Sequence, residues 1–182
     1  MQAWTTAIEA DPGVPRILVL GLDVTEQAVI RPEHVVALAH RAGSRPDDAI
    51  ALERGEDPHR TERSVASNPL IRFVADALRF YMEFHDQYDG FYGAFIHDPL
   101  AAAAALDETL VQTQAVAVDV ETGGELSEGQ TIADFRGHWH RVPNVDLALA
   151  ADADAFLGRL IERVGALAER LGVAAGVSDV AP

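Results

Sequence analysis

The stretch from Gly93 to Ala101 reads GAFIHDPLA and joins a glycine-containing loop to a run of alanines. An Asp-Pro pair before alanines is a common helix start, so it predicts a helix that ends near Asp107. In the plainer interpretation, Asp98 caps this helix and Pro99 is its first residue. In the functional interpretation, Asp98 binds a hard cation, and His97 delivers a proton because histidine titrates near neutral pH.

Strand and helix patterns alternate upstream of this stretch. Residues 14–22 are mostly apolar and predict a strand that is buried on both faces. A short helix is predicted to begin at Pro32 and to end before Gly43, and the charged residues 44–67 predict a loop. Asn68 is predicted to cap a longer helix. The apolar face of that helix contains Ile71, Val74, Leu78 and Met82.

Downstream, apolar residues recur at every second position and no longer at helical spacing. Alternating apolar residues predict strands at about 116–120, 131–135 and 145–149. A final helix follows with apolar residues at helical spacing from Phe156 to Leu171, and Gly172 is predicted to close it.

These elements place the chain in the α/β class, with a mixed sheet flanked by helices and an antiparallel patch near the carboxyl end. The last element of this predicted fold is a long helix. Residues 1–174 are predicted to form one domain, and residues 175–182 a flexible tail.

Composition excludes several classes of function. The net charge of −15 argues against nucleic acid and anionic membrane as partners, because such surfaces repel an acidic protein. The absence of cysteine excludes disulfides, thiolate catalysis and cysteine-based zinc sites. No signal-peptide pattern occurs in residues 1–11, and no apolar run is long enough to span a bilayer, so a cytoplasmic location is predicted.

Four segments in consistent order resemble the inosine/uridine-preferring nucleoside hydrolases. FIHDPLA at 95–101 resembles the family's H-D-P-x-A signature, and GLDVT at 21–25 resembles its L-D-V-T strand end. VDVETGG at 118–124 with GQTIAD at 129–134 resembles a hairpin of the family. Pro143-Asn144-Val145 with Asp152 and Phe156 resembles its carboxyl-terminal pattern. The resemblance covers residues 11–171, and it implies the carboxyl-terminal half of the nucleoside-hydrolase fold.

The resemblance also implies an activity. Members of the family hydrolyse the N-glycosidic bond of purine or pyrimidine ribonucleosides to ribose and free base, with calcium holding the attacking water and the ribose hydroxyls. By that pattern Asp98 is a Ca²⁺ ligand, and His97 is the acid toward the departing base. The family's base-contacting flap corresponds in position to the residues around His85 and Tyr88, which are predicted to bind substrate. The alternative is that these aromatic residues only pack the helix end.

The family's amino-terminal D-x-D-x-G-x-D-D cluster has no counterpart in this sequence. A single carboxylate does not make a tight calcium site, so we expect an incomplete Ca²⁺ site and little or no hydrolysis by the chain alone. The predicted partners are a ribonucleoside, a second copy of the chain or a separately encoded amino-terminal half. Two alternatives remain: a catalytically inactive remnant that serves as an interaction or assembly domain, and an unrelated acidic α/β binding domain.

A second histidine group is weaker as a candidate site. His138 and His140 are predicted to lie on one face of an extended strand, which could suggest a metal. The sequence offers no third ligand beside them, so solvent exposure is the favoured interpretation.

Overall fold

A computed structural model describes residues 17–44 and 64–178 of the chain. Its backbone contacts divide these residues into two compact units. Unit one contains residues 17–27 and 101–151, and unit two contains residues 28–44, 64–100 and 152–178.

Helices and strands alternate along the described ranges, as the α/β prediction requires. In chain order the elements are β1 (Ile17–Val19), α1 (Leu22–Thr25), β2 (Val29–Ile30), α2 (Pro32–Arg41), α3 (Pro69–Tyr88), β3 (Ala94–Phe95), α4 (His97–Leu106), a 3₁₀ turn (Glu108–Leu110), β4 (Val111–Val120), β5 (Thr131–Asp134), β6 (Val145–Ala151) and α5 (Ala153–Ser178). The predicted loop at 44–67 lies mostly outside the described residues.

Unit one is built on a mixed sheet in the strand order β1-β6-β4-β5. β1 runs parallel to β6, and β4 pairs antiparallel with both β6 and β5. Ile17 and Val19 pack against one apolar cluster of the unit, and Leu18 and Leu20 pack against another. Because successive side chains of a strand point to opposite faces, β1 has apolar contacts on both faces. Its three residues are only partly buried, so the predicted burial on both faces is found in part. The antiparallel patch near the carboxyl end is confirmed.

A buried asparagine, Asn144, continues the pairing with β4 just before the first residue of β6. The Asn144 Nδ2 donates to the Val118 carbonyl at 3.0 Å, and the Val118 N–H donates to Asn144 Oδ1 at 2.8 Å. The Asn144 N–H donates to the Val116 carbonyl at 3.1 Å. The side-chain amide thus supplies the donor and the acceptor that a neighbouring strand residue would supply. The Pro-Asn segment of the family pattern therefore has a structural role here.

In unit two, α3 and α5 are joined where Asn68 begins α3. The Asn68 Oδ1 accepts from the N–H groups of Leu70 and Ile71, so the predicted cap is confirmed. Its Nδ2 donates to the Ala168 carbonyl of α5 at 2.6 Å. One side chain therefore caps one helix and binds the next.

The prediction that Gly172 closes the last helix is wrong, because α5 continues to Ser178. A Cβ added at Gly172 would lie 2.8 Å from Asn68 Nδ2. The glycine therefore permits the close approach of α3, and it does not end the helix. Residues 175–178 belong to α5, and residues 179–182 lie outside the described part of the chain.

A second close approach joins α2 to α5. Arg41 Nε lies 2.8 Å from Glu162 Oε2, and its Nη1 lies 2.8 Å from Glu169 Oε2. The hydrogen bond from Arg41 holds the pKa of Glu162 below its usual value. The stem of Arg41 lies against Gly165, where an added Cβ would come 2.7 Å from Arg41 Cβ. Gly165 therefore gives Arg41 the room to reach both carboxylates.

Other element boundaries also differ from the predictions. The strand predicted at 14–22 ends at Val19, and the L-D-V-T segment forms α1, in which the Thr25 N–H donates to the Gly21 carbonyl. β4 begins at Val111, five residues before the predicted start. Gly43 has a φ of +73° just past α2, as its predicted position beyond the helix end requires.

We predict that Asn144→Ala destabilises the chain by about 2–4 kcal/mol, because a buried N–H and a buried carbonyl of β4 lose their partner. Urea unfolding measures the change. Gln114→Ala, at an exposed position of the same strand, is the control and should change stability by less than about 0.5 kcal/mol. Equal stabilities for the two variants would contradict the role assigned to Asn144.

We further predict opposite effects from two glycine-to-alanine changes in α5. Gly158 has nothing within 4 Å of an added Cβ, so Gly158→Ala should stabilise by about 0.5–1 kcal/mol through helix propensity. Gly165→Ala should destabilise by about 1–3 kcal/mol, because the stem of Arg41 must move. Thermal unfolding measures both, and a stabilising Gly165→Ala would show that α2 does not approach as closely as described.

Candidate functional site

The His-Asp pair lies where a short strand becomes a helix in unit two. β3 pairs antiparallel with β2, Val29 opposite Phe95 and Ile30 opposite Ala94. The Ile96 N–H then donates to the Ala28 carbonyl at 3.1 Å. These bonds fix the backbone immediately before α4, whose first residue is His97.

Asp98 is not the helix cap that the plainer interpretation predicted. The helix begins at His97, and the Leu100 N–H donates to the Ile96 carbonyl at 3.3 Å, so Asp98 lies inside the first turn. An acidic residue there is favoured by the partial positive charge of the helix start. The strand pairing before His97 moves the helix start two residues ahead of the position that the Asp-Pro pair indicates.

Both members of the pair can be reached from solvent. Asp98 is exposed and His97 is half-buried, whereas Ile96 just before them is buried. The pair is therefore not turned into the core of its unit. The Asp98 carboxylate is exposed, and part of the His97 imidazole reaches solvent.

A layer of aromatic rings lies beside the pair, between the end of α3 and β3. We call Tyr81, Phe84, His85, Phe91 and Phe95 the aromatic layer. The His85 ring lies 4.6 Å from Tyr81, 5.6 Å from Phe84, 5.2 Å from Phe91 and 4.9 Å from Phe95, measured between centroids. These separations are typical of ring pairs in protein cores.

The two residues predicted to bind substrate lie in different environments. His85 is 5% exposed, and its Nδ1 lies 2.6 Å from Asp89 Oδ2. Tyr88 is 66% exposed, and its ring lies 4.7 Å from that of Phe84. Tyr88 can therefore touch a ligand directly, whereas a ligand would first meet the rings around His85.

The hairpin of unit one holds its acidic residues in internal bonds. Asp119 Oδ2 lies 2.8 Å from Arg141 Nη1, and this hydrogen bond, followed by one from the Val120 N–H, lowers the pKa of Asp119. The two carboxylate oxygens of Asp134 accept from the N–H groups of His138 and Trp139. Asp134 therefore stabilises a turn, Asp119 forms an ion pair with Arg141, and we assign neither any chemistry.

His138 and His140 do not lie on a strand. Residues 135–136 and 138–139 form turns, and His140 has a φ of +51°. The sequence pattern missed this, because the Asp134 carboxylate folds the chain back through two backbone N–H groups. Both histidines are exposed, as the favoured interpretation expected. In the part of the chain that the structure describes, no three His, Asp or Glu side chains are grouped so that they could hold a metal ion.

Comparison with known proteins assigns the chain to a family. The family model described as inosine-uridine preferring nucleoside hydrolase matches residues 2–158. The chain belongs to this family. No helix within residues 17–44 and 64–178 has the length and apolarity that crossing a membrane requires.

Curated members of the family are about twice as long as this chain. The pyrimidine-specific ribonucleoside hydrolase RihA of Salmonella gallinarum is 31% identical over 175 residues, which is 88% of this chain and 48% of that protein. RihA of Escherichia fergusonii is 31% identical over 176 residues, with the same coverage. The chain thus spans about half the length of the relatives that it matches.

Solved structures agree on the fold. A purine-preferring ribonucleoside hydrolase from Gardnerella vaginalis has a TM-score of 0.64 at 23% identity, covering 92% of this chain and 44% of that one. A plant nucleoside hydrolase, the PpNRh1 enzyme, has a TM-score of 0.60 at 20% identity, covering 91% and 45%. The nucleoside-hydrolase-like fold predicted from the sequence is therefore confirmed.

We predict that diethyl pyrocarbonate modifies His97 much faster than His85, because the His97 side chain is partly exposed and the His85 side chain is buried. Peptide mass spectrometry of the briefly treated chain measures both rates, with exposed His138 as the reference. In urea, where the chain is unfolded, His97 and His85 should be modified at the same rate. Equal rates in the folded chain would contradict the placement of these two rings.

Proposed function

We propose that this chain supplies one side of a ribonucleoside hydrolase site, with His97 as the proton donor to the departing base and Asp98 as one ligand of a calcium ion. The observation that carries the proposal is the solvent-accessible placement of this pair in the first turn of α4. The family assignment, whose match covers residues 2–158, supports it. The resemblance of FIHDPLA to the family's signature supports it as well.

The chemistry explains why an imidazole belongs there. Breaking the N-glycosidic bond leaves positive charge on the ribose, as in glycosidases, and negative charge on the base. A proton delivered to the base nitrogen as the bond breaks neutralises that charge. General acids of this kind contribute about 10²–10⁴-fold to a rate, and histidine is effective because it titrates near the working pH.

A complete calcium site does not fit the described residues. Ca²⁺ takes six to eight oxygen ligands, and here Asp98 is the one carboxylate that we assign to it. When bound, calcium would supply water activation and hold the ribose hydroxyls. We therefore propose that the other ligands lie outside the described residues or on another chain. What this chain contributes by itself is proton delivery and contact with the base.

Tyr88 is the residue that we propose for direct contact with the base. Its exposed ring, paired with that of Phe84, offers an aromatic surface, and nucleobases stack readily on such surfaces. His85 was predicted to contact substrate as well, and its burial favours an indirect role. The RihA relatives are named pyrimidine-specific, so uridine and cytidine are the first substrates to test, followed by inosine. A cytoplasmic place in nucleoside catabolism and salvage stays a prediction.

A chimera tests the proposal. The part of Salmonella gallinarum RihA that precedes its match to this chain is fused to residues 1–182, and uridine hydrolysis is measured with calcium and with EDTA. We expect turnover by the chimera in calcium and little or none by the chain alone. His97→Gln in the chimera should lower kcat by about 10²–10⁴-fold, while KM changes much less.

His138→Gln in the same chimera is the matched control, since it removes an exposed imidazole that we assign no chemistry. Circular dichroism establishes that each protein is folded. The proposal is wrong if His97→Gln leaves kcat unchanged, or if the chain alone hydrolyses uridine as fast as the chimera.

The second candidate function is an interaction or assembly domain without catalysis. It is favoured by the large apolar side chains on the exposed side of α3, where Phe73 and Phe80 are 70% and 76% exposed. Among the described residues, β1 also pairs with β6 alone. Such surfaces favour association with a second copy or with a separately encoded half. A folded chimera without turnover would favour this candidate.

A further inference from the structure

We propose that His85 is a positioning residue for His97, acting through the ring of Phe95 and oriented by Asp89. The inference deepens the proposed function, on which it rests. His85 itself would touch neither base nor ribose.

The hydrogen bond to Asp89 orients the His85 ring. Its Nδ1 lies 2.6 Å from Asp89 Oδ2, one helical turn further along the chain at the end of α3. Its Nε2 is buried and has no hydrogen-bond partner among the described residues. Asp89 is therefore the polar group that orients this imidazole, because the rest of the ring is surrounded by aromatic side chains.

The second link is the contact between His85 and Phe95. The two rings are 4.9 Å apart with an interplanar angle of 78°, an edge-to-face arrangement. On another side, Phe91 lies nearly parallel to His85 at 21° and is 5.0 Å from Phe95. Phe95 thus rests against two rings, and the orientation of one of them depends on Asp89.

The third link follows from backbone geometry. Phe95 ends β3 and His97 begins α4, so only Ile96, which is buried, separates the two rings along the chain. The Phe95 and His97 rings are 5.9 Å apart. Pairing of β3 with β2 fixes the backbone, and Phe95 is the ring against which the His97 imidazole lies. A proton donor must point at its acceptor, and a displacement of about 1 Å can cost about 10²-fold in rate.

A purely structural role would explain a buried histidine equally well, so the test must separate the two. Histidine ring Cε1–Hε1 resonances are recorded for the isotope-labelled chain at one fixed pH with EDTA, in the wild type and in three variants. His85→Leu replaces the imidazole by an apolar side chain and so removes the ring. Asp89→Ala removes the hydrogen-bond acceptor, and Asp89→Asn restores one.

We expect a large shift of the His97 resonance in His85→Leu and in Asp89→Ala, and a return toward the wild-type position in Asp89→Asn. His34, whose Nδ1 accepts from the Arg31 N–H at the start of α2, serves as the internal reference and should not move. The readout requires no turnover, so it can fail while the proposed function stands.

Ile71→Ala is the matched control. It creates a cavity beside α3 at the end remote from His85, so it should lower the unfolding temperature of the chain without moving the His97 resonance. If His85→Leu does not fold, the two Asp89 variants test the inference by themselves. They should fold, because the Asp89 side chain is about half exposed. The inference is overturned if His97 does not shift in Asp89→Ala, if Ile71→Ala shifts it equally, or if Asp89→Asn gives no recovery.

Discussion

The pairing of β3 with β2 is the constraint on which the candidate site depends. It involves two residues on each strand, and it is extended by the bond from Ile96 to Ala28. Because this backbone is fixed, α4 begins at His97, and Asp98 stays in the exposed first turn. An Asp-Pro pair alone would start a helix two residues later and would use the carboxylate as a cap. The tertiary bond thus leaves that carboxylate available to a ligand.

The sequence predicted the elements with strong periodicity and the motifs with a local physical cause. The cap at Asn68, the glycine past α2 and the β4–β5 hairpin follow from short-range patterns, and all are present. The end of α5 could not be predicted, because Gly172 serves the contact with Asn68, about a hundred residues away in sequence. β2 and β3 were missed because two-residue strands have no periodicity to detect.

The candidate site shows the same division between local and tertiary information. His97 and Asp98 were found from the string that contains them and from its resemblance to a family signature. The different environments of His85 and Tyr88 were not predictable, since they lie three residues apart on one helix. Only the packing of Phe91 and Phe95 shows which side of α3 is covered. In the same way, no strand pattern could show that Asp134 folds the backbone at His138 and Trp139.

The chain belongs to the nucleoside hydrolases and spans about half the length of its curated relatives. The most direct test of the account is a crystal structure of the RihA chimera with calcium and a non-hydrolysable pyrimidine riboside. We predict an imidazole nitrogen of His97 within about 3 Å of the base and an oxygen of Asp98 about 2.4 Å from calcium. A riboside bound elsewhere, with His97 and Asp98 still facing solvent, would contradict it.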